Sequence, residues 1–144
     1  MKNLKVKIKL IEGGKLPEYK RDGDACLDCR ARLASDLVKI PSKSRCLVNL
    51  GFALELPIGW EAVIRPRSGL TSIAIDDAIG TIDSNYRGEV KACVINDSIG
   101  DYTIKNGDRI CQLAIRETPN IEWDVVDELS ETERGENGFG SSGI

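Results

Sequence analysis

Asp83 stands three residues before Tyr86 in the run Gly80-Thr-Ile-Asp-Ser-Asn-Tyr-Arg-Gly-Glu89. Glycine tolerates positive φ and close backbone approach, so Gly80 and Gly88 predict a tight β-hairpin with bare peptide groups along its rim. A floor of peptide groups with a carboxylate on one side and a phenol ring on the other suits a nucleoside. Asp-Ser-Asn is also ordinary turn chemistry, and taken alone the run reads first as a plain surface hairpin; the rest of the chain shifts that reading. Further residues extend the choice of ligand toward phosphate. Arg67, Ser68 and Gly69 offer an anion a guanidinium, a hydroxyl and free backbone, with Ser68 a candidate N-cap for one or two helical turns over 68–75. Asp28, between apolar Leu27 and Cys29, reads either as a solvated strand position or as a carboxylate holding a hydrated divalent cation. Gln112 interrupts a nearly continuous apolar run and needs a partner or a ligand, because an unpaired buried amide costs about 1–3 kcal/mol. The glycine- and serine-rich tail would ordinarily be a disordered terminus. It nevertheless carries Arg134, Phe139, Gly140, Ser141 and Ser142, the parts of an arm that could stack on a base and neutralise phosphates.

The chain contains no histidine, which removes every Ser-His, Cys-His and His-metal mechanism. Catalysis would have to run on carboxylates, arginines, hydroxyls, backbone amides and a bound ion. A net charge of -3 leaves no broad basic surface for tracking nucleic acid, so a polyanion would be held by a few focused arginines, as a small phosphorylated ligand can be. Five cysteines, with Cys26 and Cys29 in a lone CxxC, lack the second pair or the histidines of a structural zinc site. No stretch approaches the ~18 apolar residues that span a bilayer, so the expectation is a soluble, intracellular, cytoplasmic protein with no membrane or nucleic-acid partner.

The elements that must position these groups are short. Leu4, Val6, Ile8 and Leu10 alternate with lysines, which predicts a strand with one buried face. Strand-like runs recur at 38–40, 46–56, 60–66, 90–95, 102–104, 107–115 and 121–126, separated by Pro- and Gly-containing turns about every 8 to 12 residues. Asn106-Gly107 is a hairpin signal. With no long segment of period 3.6, the expected fold class is all-β, a compact sandwich or barrel. At 144 residues it has room for one core, which the sequence assigns to 1–130, with 131–144 as the arm.

Five of these stretches occur in one order: Asp-Ala-Cys-Leu-Asp at 24–28, Pro-Arg-Ser-Gly-Leu at 66–70, Gly-Thr-Ile-Asp-Ser-Asn-Tyr-Arg-Gly at 80–88, Gly-Asp-Arg-Ile-Cys-Gln-Leu at 107–113, and Arg-Gly-Glu-Asn-Gly-Phe-Gly-Ser-Ser-Gly at 134–143. Together they resemble the five motifs of the trimeric dUTPases, and the third and fifth are the most specific. The resemblance implies a jelly-roll-like β subunit in a homotrimer with shared active sites. Its activity would be magnesium-assisted cleavage of dUTP to dUMP and pyrophosphate, which limits uracil in DNA and supplies dUMP. Asp83 would orient or deprotonate the attacking water, the hairpin backbone would read uracil, and Tyr86 would close off the place of a ribose 2'-hydroxyl. Asp28 would hold Mg2+ through water. Arg67, Ser68 and Gln112 would contact phosphates, and Arg134, Phe139, Gly140, Ser141 and Ser142 would arrive from another subunit.

Cys26 and Cys29 depart from the first motif, Asn137 replaces a glycine of the fifth, and Asp77 lies near a place where some relatives carry asparagine. Two rival readings share these residues. A dCTP deaminase, or a bifunctional deaminase and diphosphatase, resembles the same fold, and a nucleotide-sensing protein-interaction module would use the same trimer without turnover. Retention of Asp83, Tyr86 and the arm favours the diphosphatase.

Overall fold

The computed structural model describes residues 3–138. Eleven strands and one helical turn are assigned among them: β1 (Lys7–Leu10), β2 (Leu27–Arg30), β3 (Leu37–Ile40), β4 (Ser44–Asn49), β5 (Phe52–Glu55), β6 (Trp60–Pro66), α1 (Ser68–Thr71), β7 (Ile75–Asp77), β8 (Gly80–Ile82), β9 (Lys91–Asn96), β10 (Tyr102–Lys105) and β11 (Arg109–Glu117). The expected all-β class is the observed one. No described helix is long and apolar enough to cross a membrane.

Pairing is entirely antiparallel. A four-stranded sheet runs β2-β11-β6-β8, a three-stranded sheet runs β4-β9-β7, and two ribbons, β1-β5 and β10-β3, complete the set. The central strands β6 and β11 are strongly apolar: Ala62, Val63 and Ile64 are buried in a row, and Ile110, Cys111, Leu113 and Ala114 are buried on either side of the half-buried Gln112. A row buried on both faces is what a middle strand requires, since neighbours cover its edges and packed layers cover its faces. Ala62, Ile64, Ile110, Cys111 and Leu113 join Phe52, Ile40, Leu50, Val94 and Ile104 in one core, in which each large aliphatic or Phe side chain is worth about 1.5–3 kcal/mol when fully buried. At the turn from β4 to β5, Gly51 takes a φ of 78° and lies so close to Gly14 that a Cβ on either would overlap the other's backbone.

Several expectations fail at the level of pairing. The 80–89 run is not a hairpin: β8 pairs with β6, whereas β9, which follows the run, pairs with β4 and β7. The segment is a turn that carries the chain from one sheet to another. Asn106-Gly107 likewise makes a turn, with Gly107 at φ 87°, but β10 pairs with β3 and β11 with β2 and β6. Ser68 is not the N-cap; Arg67 holds that place, and α1 is a single turn of four residues. The strand expected at 121–126 is absent: the segment pairs with no described strand and its apolar side chains are open to solvent, Trp123 at 84% and Val125 at 92%. The buried face expected along residues 4–10 is largely open: all four residues of β1 are exposed, and Leu4 is exposed as well, whereas Val6 is half-buried against the core. The last strand ends at Glu117, and Thr132 to Asn137 form a small turn of their own, in which Arg134 Nε donates to the Asn137 carbonyl at 2.8 Å.

Candidate functional site

The sequence-marked residues fall into two groups. The first surrounds Asp83. Beyond β8 the chain makes a tight turn in which the Tyr86 amide donates to the Asp83 carbonyl at 3.0 Å. Arg87 Nη1 donates to the Ser84 and Tyr86 carbonyls at 2.7 and 3.0 Å, bracing the turn from outside. The Tyr86 hydroxyl donates to the Glu89 carbonyl at 3.2 Å, and the ring lies so close over Gly88 that any Cβ there would overlap its phenol oxygen. Glu89 pins the far end of the loop, accepting from the Gly51 amide at 3.0 Å and from Arg32 Nη1 at 3.3 Å. Beside these contacts lies a cavity of about 220 Å³ lined by residues 80–83, Ile64, Tyr86, Glu89 and Val90. Asp83 stands at its edge and also lines a wider hollow of about 460 Å³ beside Trp60 and Thr118. Its side chain is exposed and makes no hydrogen bond to another described residue, so it is free to meet a ligand or a water.

The second group is built on the sheet register. Gln112 of β11 lies directly opposite Asp28 of β2 on one side and Arg65 of β6 on the other. Its Nε2 donates to Asp28 Oδ1 at 3.2 Å, which answers the question of where a glutamine in that strand finds a partner. Arg109 Nη1 donates to Asp28 Oδ2 at 3.0 Å. Residues 109 and 112 would face opposite sides of a regular strand, whose period is two. A register shift between Arg109 and Cys111 re-aims the arginine and lets both reach one carboxylate. Arg67, one residue beyond β6, places Nε 3.5 Å from Asp28 Oδ1 and donates from Nη1 to the Arg109 carbonyl at 2.8 Å. Burial pushes the Asp28 carboxyl up, but the Gln112 hydrogen bond, the Arg67 charge and Arg109 together outweigh it and hold the group below its ordinary value.

Ser68 and Gly69 are exposed at the start of α1, and the Ser68 hydroxyl makes no hydrogen bond to another described residue. Gly69 has open space where a side chain would be. Arg134 bonds only within its own turn. Phe139, Gly140, Ser141 and Ser142 lie outside the described residues. The two groups do not meet within one chain: β2 and β8 are three interstrand spacings apart, on the order of 14 Å. The sequence reading assigned no role to Arg109, Arg87 or Glu89. Arg87 and Arg109 lie in the stretches at 80–88 and 107–113, but the partner of Arg109 becomes visible only through the register shift.

Asp28 sits among donors and cations. Its side chain is only 11% exposed, and three donors occupy its oxygens. Two of them are cations, which repel a divalent ion from that spot. No group of three or more Cys, Asp or Glu among the described residues could hold a metal.

The dUTPase family model matches residues 12–143. The chain belongs to the dUTPase family. It is 46% identical over 148 residues to the deoxyuridine 5'-triphosphate nucleotidohydrolase of Orientia tsutsugamushi (strain Ikeda), with 98% of this chain and 99% of that protein covered. It is 44% identical over 144 residues to the protein of the same name from Treponema denticola, again covering 98% and 99%. Among solved structures, the Staphylococcus bacteriophage 80alpha dUTPase with dUPNHPP superposes with a TM-score of 0.90 at 26% identity, over 99% of this chain and all of that one.

Proposed function

We propose that this dUTPase-family chain hydrolyses dUTP to dUMP and pyrophosphate, with Asp83 as the catalytic base. The carrying observation is the exposed Asp83 carboxylate, without a described hydrogen-bond partner, at the edge of a cavity lined by residues 80–83 and by a tyrosine whose hydroxyl is tied to the Glu89 carbonyl. Water attacks the α-phosphorus, the bond to the bridging oxygen of the β-phosphate breaks, pyrophosphate leaves and the Asp83 carboxylate takes the water's proton. A carboxylate is a modest base, so most of the acceleration must come from positioning and from cations that absorb the developing charge. Uracil lies against the 80–83 backbone, where peptide groups match its alternating donors and acceptors. Tyr86 covers the sugar and leaves no room for a 2'-hydroxyl. Magnesium enters as part of the substrate, held by the nucleotide's own phosphates.

The complete site is shared between chains of a homotrimer. Two observations support this: the two groups of residues are far apart within one chain, and the apolar side chains of Ile121, Trp123, Val125, Val126 and Leu129 stand exposed among the described residues. Arg134, with Phe139, Gly140, Ser141 and Ser142, completes the site from another subunit, stacking on the base and closing over phosphates. The test is pyrophosphate release from dUTP, dCTP, dTTP and UTP with magnesium, with ammonia assayed alongside. Release from dUTP alone is expected. Ammonia from dCTP would establish the deaminase reading, and no release from any of the four would leave a binding module.

A further inference from the structure

Asp28 sits where the four-stranded sheet brings β2, β11 and the end of β6 together, and every strong contact it makes is to a donor. Arg109 Nη1 is 3.0 Å from one oxygen; Gln112 Nε2 at 3.2 Å and Arg67 Nε at 3.5 Å share the other. A carboxylate has about four lone-pair sites on its two oxygens, and three of them are directed at these donors. The arrangement is closed a second time by Arg67 Nη1, which donates to the Arg109 carbonyl at 2.8 Å. One carboxylate against two guanidiniums leaves the cluster with a net positive charge. A hollow of about 270 Å³ adjoins it, lined by Arg109, Arg30, Lys20 and Tyr19 as well as Asp28 and Glu18. Such a place attracts a phosphate and repels a magnesium ion.

Resting on the dUTPase reading, we propose that Asp28 is a positioning residue that holds Arg67, Arg109 and Gln112 as a preformed cradle for the triphosphate, and that it carries no divalent cation. Two guanidiniums this close repel each other and, on long side chains, would scatter without a shared anchor. Asp28 fixes both by charge-assisted bonds, so that less order has to be imposed when phosphate arrives. Arg109 is thereby drawn into phosphate recognition together with Arg67. The fork nitrogens not engaged by Asp28 or by the Arg109 carbonyl are the ones left for the ligand.

The test uses the full-length protein, with binding of dUpNHpp and of deoxyuridine measured by titration calorimetry in EDTA and in magnesium, and with turnover of dUTP followed as magnesium is varied. Asp28→Asn keeps the shape and removes the anchor charge. It should weaken dUpNHpp by about tenfold or more with or without magnesium, as loss of charge-assisted anchoring predicts. Deoxyuridine affinity and the magnesium concentration for half-maximal turnover should stay within about twofold. Arg109→Gln breaks the same cluster from the other side and should reproduce this pattern. Unchanged dUpNHpp affinity in EDTA with a raised magnesium requirement would overturn the proposal and make Asp28 a metal-water ligand. Equal loss for deoxyuridine and dUpNHpp would reduce it to a structural residue. A wild-type protein that binds dUpNHpp no better than deoxyuridine would sink the dUTPase reading and the cradle together, whereas wild-type binding matched by Asp28→Asn sinks the cradle alone.

Discussion

The carboxylates of Asp28 and Asp83 are built into opposite surroundings. Three side chains converge on Asp28, two of them charged, and its own side chain is nearly out of reach of solvent. No described side chain meets Asp83, and the effort of the surrounding loop goes into its backbone: Arg87 braces the turn, Glu89 pins its end, and Tyr86 folds onto Gly88. The first arrangement spends a carboxylate on holding other groups still. The second holds the backbone still and leaves the carboxylate free to react. Two acids in one protein therefore divide organisation and chemistry between them, and the division follows from which neighbours each one has.

The most severe way to break this contrast is to remove the free acid. Asp83→Asn should lower turnover of dUTP by about 10²–10⁴-fold, the usual worth of a general base, while dUpNHpp still binds, since nothing that shapes the cavity depends on that side chain. Near-normal turnover measured in a steady-state pyrophosphate assay would take Asp83 out of the mechanism. A milder perturbation leaves the acid and disturbs its frame. Gly88→Ala forces the Tyr86 ring off its seat, because the new methyl group would occupy the place of the phenol oxygen. Turnover should fall about 10- to 100-fold through misplacement of the sugar, and discrimination between dUTP and UTP should narrow. Unchanged discrimination would mean that the ring does not guard the sugar.

The same contrast explains what could be read from the chain without its structure. The strands at 60–66 and 107–115 were legible because apolar runs bounded by proline and glycine leave few alternatives. Turns at 57–59, 83–86 and 106–107 were legible because their residues prefer such conformations. Strand pairing was not legible, because a turn signal says where the chain bends and not which neighbour it will meet. Gly80 to Glu89 and Asn106-Gly107 therefore looked like hairpins and proved to be crossings between sheets. Asp83 could be singled out from its own segment, since its role depends on local backbone. The surroundings of Asp28 depend on residues 67, 109 and 112, brought together by register and by an irregularity in β11 that no local pattern announces. The alternation at 121–126 is a true strand pattern that pairs with no described strand, so propensity alone could not say whether a strand would form.

Asp77 gives the smallest expected effect and sharpens the contrast from a third side, since it is a buried acid with no organising neighbours at all. It is 5% exposed, and its Oδ1 is a buried oxygen without a hydrogen-bond partner; burial first, and then the adjacent Asp76 charge, push its carboxyl up to about 7. Asn96, the other buried polar residue of the core, shows what satisfaction looks like: its amide donates to the Ile40 and Gly100 carbonyls and its oxygen accepts from Ser98. Because the folded protein holds a proton on Asp77 that the unfolded chain releases near pH 4, stability should decline as pH rises from about 4 to about 7 and level off above that. Asp28, whose carboxyl is held down, contributes in the opposite sense: its stabilisation is complete above the ordinary carboxylate range and is lost as pH falls below it. Asp77→Asn should therefore stabilise the protein at pH 8 by about 1–3 kcal/mol in urea unfolding and have little effect near pH 4.5. An equal effect at both pH values would show that Asp77 is not protonated in the native state, and would place a partner for its carboxylate in the assembled protein.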